Sequence, residues 1–238
     1  MAKGWAVRVH VDASLASGAA VALSAGQAHH LRTVLRLGDG AAVAAFNTAD
    51  GEWLCRLAGR RLAVERQLRA PAPGSDLWLL FAPVKRVRVD WLVEKATELG
   101  VSALLPVITR HTQAERINLD RLRAHAVAAA EQSERLSVPE LREPQALTAV
   151  LGAWQLERRL YVCDETGEGA PAAAAVRPGP AAWLVGPEGG FAETELDALG
   201  KLPFVSRVGL GPLVLRADTA AVASLAVYQA IAGDWRPA

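Results

Sequence analysis

Two glycine-punctuated segments near the C-terminus, LVGPEGGF at Leu184 to Phe191 and LGPLVLRADTA at Leu210 to Ala220, constrain this chain more than any other feature. Each closes an apolar, strand-like run and leads into a helix-like stretch, so each marks a strand-to-helix junction. Glycine at such a junction removes the Cβ and lets a ligand reach backbone N–H and C=O groups. Two such loops in the last quarter of the chain point to one cofactor site; the competing reading is a pair of ordinary turns. A dinucleotide site requires G-x-G-x-x-G after a strand with an acid about 20 positions later, and a phosphate loop requires Lys and Ser or Thr after its last glycine. Neither segment has that spacing, and Pro187 has no N–H to offer a phosphate. The expected ligand is read by its adenine edge and its shape, without a pyrophosphate cradle.

The 238 residues, 51% of them hydrophobic, suffice for one large or two smaller cores. The formal charge of +1 conceals an asymmetry. Residues 1 to 70 hold nine Lys/Arg against five acids, a net of +4, and the remainder nets −3. A basic N-terminal part suits a nucleic-acid platform, although an ordinary solvated surface carries such a charge as well. The two cysteines, Cys55 and Cys163, sit in apolar strand-like runs, which argues for core packing and against a disulfide framework or a cysteine zinc site. No cleavable leader and no apolar run of about 18 residues is evident, so a cytoplasmic protein with no membrane partner is expected.

The N-terminal part reads as a small β-rich barrel. Short alternating runs at Ala6 to Val11, Ala41 to Phe46, Glu52 to Leu57 and Leu62 to Leu68 are separated by glycine turns. Ser24 caps a helix reaching Leu35, with Leu31, Val34 and Leu35 on one face. The linker is the Pro71, Pro73, Gly74 stretch, which divides a domain at 1–72 from one at 75–238. Beyond it the pattern becomes α/β: strand Leu77 to Val84, helix Val89 to Leu99 with Trp91, Leu92, Ala96 and Leu99 placed for burial, then strand Val101 to Ile108. A strand-helix-strand unit of this kind makes a parallel pair. Asn118 caps a helix reaching about Arg135. Further strands are expected at Leu160 to Cys163, Trp183 to Val185 and Val205 to Gly209, before a last helix from Thr219 to Ile231 whose Ala220, Ala223, Ala226 and Val227 form a small-residue face suited either to close packing on the sheet or to a subunit interface.

Four ordered segments carry a resemblance: KRVRVDWLVEKATELGV (Lys85 to Val101), AAAEQSERLSVPEL (Ala128 to Leu141), LVGPEGGF and LGPLVLRADTA. Together they resemble the RsmE-type 16S ribosomal RNA uracil-N3 methyltransferases of the SPOUT superfamily, and HHLRTVLRLGDG (His29 to Gly40) resembles that family's segment in its PUA-like RNA-binding barrel. The resemblance implies an α/β fold with a C-terminal trefoil-knotted parallel sheet, helices on both faces, and a small N-terminal PUA-like β-barrel. It also implies a homodimer that uses S-adenosylmethionine (AdoMet) to methylate N3 of one uridine in the decoding region of 16S rRNA, within the small ribosomal subunit. No metal is implied.

Carried over residue by residue, Leu184, Gly186, Pro187, Glu188, Gly189 and Gly190 line one wall of the AdoMet pocket. Leu210, Gly211, Leu213 and Leu215 line another, followed by Thr219 and Ala220; Cys163 to Glu165 supply a third loop. Methylation at N3 requires the imide proton to leave. Arg216 is therefore the candidate for stabilising the developing oxygen charge, and Glu188 the candidate base. Arg216 could instead pair with Asp218 or Glu188, and Glu188 could hold its own loop by accepting backbone N–H bonds. Asp218 stands where many relatives carry Glu, which weakens a catalytic reading of that position. The candidate RNA contacts are Arg8, Arg32 and Arg36 in the barrel, Arg86 and Arg88 beside Asp90 at the start of a helix, and Arg135 near Gln132 and Ser133. His29 and His30 lack nearby metal-binding partners and are assigned surface or packing roles. Two other functions fit the same residues: a SPOUT ribose 2′-O-methyltransferase acting on transfer or ribosomal RNA, and a non-catalytic RNA-binding dimer.

Overall fold

The structure is a computed structural model that describes residues 4–113 and 117–236. Lys3, one of the nine N-terminal basic residues, lies outside them. The chain divides into two compact units: residues 1–73 together with 130–138, and residues 74–129 together with 139–238.

The first unit is built on β1 (Val7–His10), β2 (Ala20–Ala22), β3 (Ala42–Asn47), β4 (Gly51–Ala58) and β5 (Arg61–Arg69). They form a five-stranded sheet in the order β1-β3-β4-β5-β2, antiparallel except for β1 beside β3. Two irregularities in the β4–β5 ladder, at Glu52/Trp53 and Leu54/Cys55, bend the sheet around a core of Val9, Leu31, Val43, Ala45, Cys55, Leu57 and Leu62. Helix α1 (Ala25–His29) starts at a capping box: Ser24 Oγ accepts from the Gln27 N–H and Gln27 Oε1 accepts from the Ser24 N–H. It continues as a π turn over His30–Val34, closed by a bond from the Leu35 N–H to the His30 carbonyl. The wider turn shifts the helical phase. Leu31 is fully buried, whereas Val34 and Leu35 are exposed, contrary to the single apolar face expected from α-helical spacing.

The second unit begins with β6 (Leu77–Phe81), α2 (Arg86–Glu98) and β7 (Ala103–Ile108), followed by α3 (Leu119–Gln132), whose last residues belong to the first unit. Asn118 Oδ1 accepts from the Arg121 N–H in the first turn of α3. Then come β8 (Glu140–Leu141), β9 (Gln145–Ala146), α4 (Leu147–Gly152), β10 (Arg159–Cys163), β11 (Ala170–Pro171), α5 (Ala172–Ala175), β12 (Ala181–Val185), α6 (Glu193–Gly200), β13 (Val205–Gly209) and α7 (Ala217–Ile231). The sheet is parallel throughout, in the order β11-β13-β10-β12-β6-β7-β8, with β9 also beside β7. Strands buried on both sides read as continuous apolar runs, as LYVC and AAWLV do here. One face packs Leu80, Leu105, Val162 and Leu184 against Leu147 of α4 and Leu196 and Leu199 of α6. On the other, Tyr161 and Trp183 meet at 5.0 Å, and α7 packs against α2, α5 and β12.

This packing refines two helix faces, with Leu92 and Ala96 of α2 and Ala220 of α7 buried as expected. In α2 the buried set is Val89, Leu92, Val93, Ala96 and Thr97, and Trp91 lies on the opposite side, 42% exposed. In α7 the buried set is Ala220, Ala221, Ser224, Leu225, Tyr228 and Gln229, which leaves Ala223, Ala226 and Val227 only half-buried. Both cysteines are free and buried, and burial pushes the Cys163 thiol up to about 12 and the Cys55 thiol up to about 11. Neither is a nucleophile near neutral pH.

Candidate active site

Neighbouring parallel strands β13, β10 and β12 end at Gly209, Cys163 and Val185. Their following loops therefore leave the sheet along one edge, the carboxyl edge, where open α/β sheets bind ligands. Both glycine segments and the Cys163 to Glu165 loop are brought together by this topology.

The GPEGG loop is shaped by what it cannot accommodate. A Cβ on Gly186 would come within 2.9 Å of the buried Phe191 ring, and Gly190 adopts φ +68° with the Glu165 carboxylate occupying the space a Cβ would need. The Gly190 N–H donates to the Pro187 carbonyl at 2.9 Å, closing the turn, and Glu165 Oε1 accepts from the Phe191 N–H at 3.3 Å. His111, just beyond β7, brings Nδ1 within 3.1 Å of the Gly189 carbonyl oxygen and 3.2 Å of that of Gly190. Glu195 anchors the exit: its carboxylate accepts from the Ala192 N–H and from the Arg110 N–H, both at 2.9 Å. Pro187 is buried, while Glu188 is exposed and lies 3.7 Å from Arg88.

The second loop is more open. Gly211 takes φ +112°, a value reserved in practice for glycine, and Leu213 is 77% exposed. Leu210 and Leu215 are half-buried. Arg216 is the N-cap of α7; its carbonyl accepts from the Ala220 N–H at 2.8 Å while its side chain stays exposed. Asp218 turns to the Thr219 N–H at 2.9 Å, and Glu188 faces Arg88. Among the described residues neither carboxylate pairs with Arg216, so the alternative structural role weighed for it is not realised.

The third loop is tied down by hydrogen bonds and an ion pair at Asp164. Burial raises the cost of charge on Asp164, yet hydrogen bonds from the Thr166 N–H and hydroxyl, with the Arg207 guanidinium, outweigh it and hold the carboxyl below its ordinary range. Gly169 lies so close to β13 that a Cβ would come within 2.7 Å of the Val208 backbone.

The six arginines expected at RNA separate into distinct groups. Arg8 is 3% exposed and does not face solvent. Its guanidinium donates to Glu52 at 2.5 Å and to the carbonyls of Ala130, Glu131 and Arg135, and it lies 4.1 Å from the Phe46 ring centre. It holds the first unit together, and the RNA assignment is corrected. The alternation of Val7, Val9 and Val11 places Arg8 on the other sheet face, but the segment covering that face comes from 122 residues away. Arg32 is likewise largely committed, to the Gly59 and Leu37 carbonyls and to Asp39. Arg36, at φ +53°, and Arg86 are exposed; Arg88 pairs with Glu188; and Arg135 donates to Ser137 Oγ. Asp90 lies 3.1 Å from Arg121, an ion pair within the second unit. Among the described residues no group of three or more His, Cys, Asp or Glu is placed to hold a metal. His111 was not anticipated; its position at the carboxyl end of a parallel strand is the signal that pointed to it.

The side chains absent at 186, 189 and 190 let Phe191, His111 and Glu165 close in on the loop, which fixes its path at the carboxyl edge of the sheet. Comparison with known proteins identifies the family. Residues 71–229 match the RNA methyltransferase domain family and residues 23–64 the RNA methyltransferase PUA domain family. The ribosomal RNA small subunit methyltransferase E of Rickettsia conorii is 30% identical over 228 residues, covering 92% of this chain and 93% of the relative. The Mycobacterium bovis protein of the same name is 29% identical, covering 97% and 94%. The Neisseria gonorrhoeae ribosomal RNA small subunit methyltransferase E, solved bound to S-adenosyl methionine, superposes with a TM-score of 0.84 at 25% identity, covering 97% and 99%. A Legionella pneumophila protein solved with bound SAM gives 0.82 at 27%, covering 96% and 98%. With both domain matches in register and these relatives aligned along nearly its whole length, the chain belongs to the ribosomal RNA small subunit methyltransferase E family.

Proposed function

We propose that this protein transfers the methyl group of AdoMet to N3 of a specific uridine in the RNA of the small ribosomal subunit. The observation that carries the reading is Arg216: a permanently charged, exposed guanidinium on the second glycine loop, with no carboxylate pairing it among the described residues. AdoMet, when bound, supplies an electrophilic methyl on a sulfonium. The GPEGG, 210–215 and 163–165 loops form its pocket, with Thr219 and Ala220 at the start of α7. Uracil N3 has no available lone pair until its proton leaves, and the charge that develops spreads onto the flanking carbonyl oxygens. A charged donor aimed at such an oxygen contributes about 2.7–4 kcal/mol to the transition state. Ribose 2′-O-methylation develops its charge on the single O2′ oxygen, and the identity of the methylated nucleoside separates the two chemistries. Glu188 is exposed, lies 3.7 Å from Arg88 and is the candidate base of this reading.

Arg36 and Arg86, both exposed, are the foremost candidates for the rRNA backbone in this reading, with the curled N-terminal sheet as platform. A homodimer is part of it, with the half-buried Ala223, Ala226 and Val227 of α7 as the candidate subunit face. So is a trefoil knot; the crowding at Gly169 and Gly186, where a Cβ would meet backbone or ring, is what supports close threading there. No described helix is long and apolar enough to cross a membrane. The test is to incubate the protein with labelled AdoMet and either assembled small subunits or naked rRNA, then identify the product by nucleoside mass spectrometry. N3-methyluridine at one site is expected. A 2′-O-methylated nucleoside overturns the proposed chemistry, and no AdoMet binding by calorimetry overturns the enzyme reading.

A further inference from the structure

The GPEGG loop exposes two carbonyls, of Gly189 and Gly190, that point the same way and meet a single ring nitrogen, His111 Nδ1, at 3.1 and 3.2 Å. Carbonyl oxygens only accept, so Nδ1 must carry the proton and the neutral ring is the Nδ1–H tautomer. The contact is close on the carbon side as well: His111 Cβ lies 3.4 Å from where a Gly189 Cβ would stand. From β10, Glu165 reaches the same loop, accepting from the Phe191 N–H and filling the space beside Gly190. One side chain donates to the loop's carbonyls while the other accepts from its N–H, and each comes from the carboxyl end of a different strand. Alternating donors and acceptors in this way specifies one loop conformation, because neither anchor is satisfied if the peptide planes at 189–191 rotate.

We propose that His111 and Glu165 are positioning residues that clamp the GPEGG loop in its cofactor-binding conformation, with His111 acting through its Nδ1–H. This rests on the AdoMet reading above. His111 is exposed and Glu165 lies on a loop, so neither is needed for the core, and their removal is expected to loosen the loop without unfolding the protein. The conservative replacements are informative: an Asn at 111 sets an amide N–H where Nδ1–H stood but offers nothing in place of Nε2, and a Gln at 165 keeps an acceptor oxygen without the charge.

The experiment measures AdoMet binding by calorimetry for the wild type, His111→Ala, His111→Asn, Glu165→Ala and Glu165→Gln, with melting temperatures recorded alongside. Loss of anchoring hydrogen bonds weakens binding about tenfold in each alanine variant, at unchanged melting temperature. Asn and Gln return affinity to within about threefold of the wild type. In turnover assays His111→Ala, a change outside the three pocket loops, raises KM for AdoMet and changes kcat by less than about threefold. Nitrogen-15 NMR of the wild type at pH 8 to 9 shows the Nδ1–H tautomer at His111. Wild-type affinity in the alanine variants, failure of Asn to rescue, a loss confined to kcat, or an Nε2–H tautomer overturns the clamp. Absence of AdoMet binding by the wild type itself overturns instead the function on which it rests.

Discussion

Replacing Arg8 by alanine separates structure from RNA recognition, because the residue was expected at the RNA and is found in the interior. The Arg8 side chain is 2% exposed, and the Glu52 side chain that receives it is 5% exposed. Breaking a buried ion pair by removing one partner costs about 3–5 kcal/mol. Arg69 still reaches Glu52 at 2.8 Å, which relieves part of this, but the carbonyls of Ala130, Glu131 and Arg135 lose their donor at about 1 kcal/mol each. The two corrections nearly cancel, so a loss of about 3–5 kcal/mol is expected, or at least about 6 °C in melting temperature for a chain of this size. Arg8→Lys is expected to recover little, since a single ammonium cannot serve a carboxylate and three carbonyls in the geometry of a planar fork. The assay is a thermal melt by circular dichroism, with hydrogen exchange of the first unit's amides, run beside Arg36→Ala. The exposed Arg36 is expected to change stability by no more than about 0.5 kcal/mol and to reduce the salt slope of rRNA binding by about one. An Arg8→Ala protein that melts within about 1 °C of wild type and binds RNA more weakly would refute the assignment of Arg8 to the interior network.

Three other outcomes follow from the same geometry. Arg216→Ala is expected to lower kcat about 10²-fold or more while AdoMet affinity stays within several-fold, read by single-turnover kinetics and calorimetry; unchanged turnover removes Arg216 from the chemistry. Gly190→Ala must adopt φ near +68° beside Glu165, so AdoMet binding is expected to weaken about tenfold or more, and wild-type affinity would show that the loop tolerates a Cβ. Burial disfavours charge on Glu52, yet Arg69 and Arg8 outweigh it and hold its carboxyl below the ordinary value of 4.5. Its contribution to stability is therefore full above that value and is lost as pH falls through the folded-state pKa. The stability difference between wild type and Glu52→Gln is expected to shrink as pH is lowered from about 6 to about 3, and a pH-independent difference argues against the charged network.

Much of the fold was legible because it is written in local chemistry. Ser24 and Gln27 sit three apart and form the capping box; Asn118 caps α3; and the apolar runs LYVC and AAWLV are strands of a sheet covered on both sides. The faces of helices were less legible. Trp91 and the Ala223, Ala226, Val227 stripe are apolar and suitably spaced, but a helix with apolar residues on more than one side buries whichever side its neighbours cover. Val34 and Leu35 were misplaced because a π turn advances the chain by a different angle per residue than an α-helix.

At the site, sequence by itself determined the groups on offer: glycines at two strand-to-helix junctions, an arginine at the head of the last helix, and the order of motifs that marks the family. These depend on residue type and short spacing, which a sequence displays directly. Tertiary structure decided which residues meet. The burial of Arg8, the pairing of Glu188 with Arg88 and the approach of His111 to the GPEGG loop each join residues roughly 80 to 120 positions apart, the first through the return of residues 130–138 to the first unit and the other two through strand order. The physical reason is that a side chain's role follows from what surrounds it, and in a parallel sheet those surroundings are set by which strand ends lie side by side.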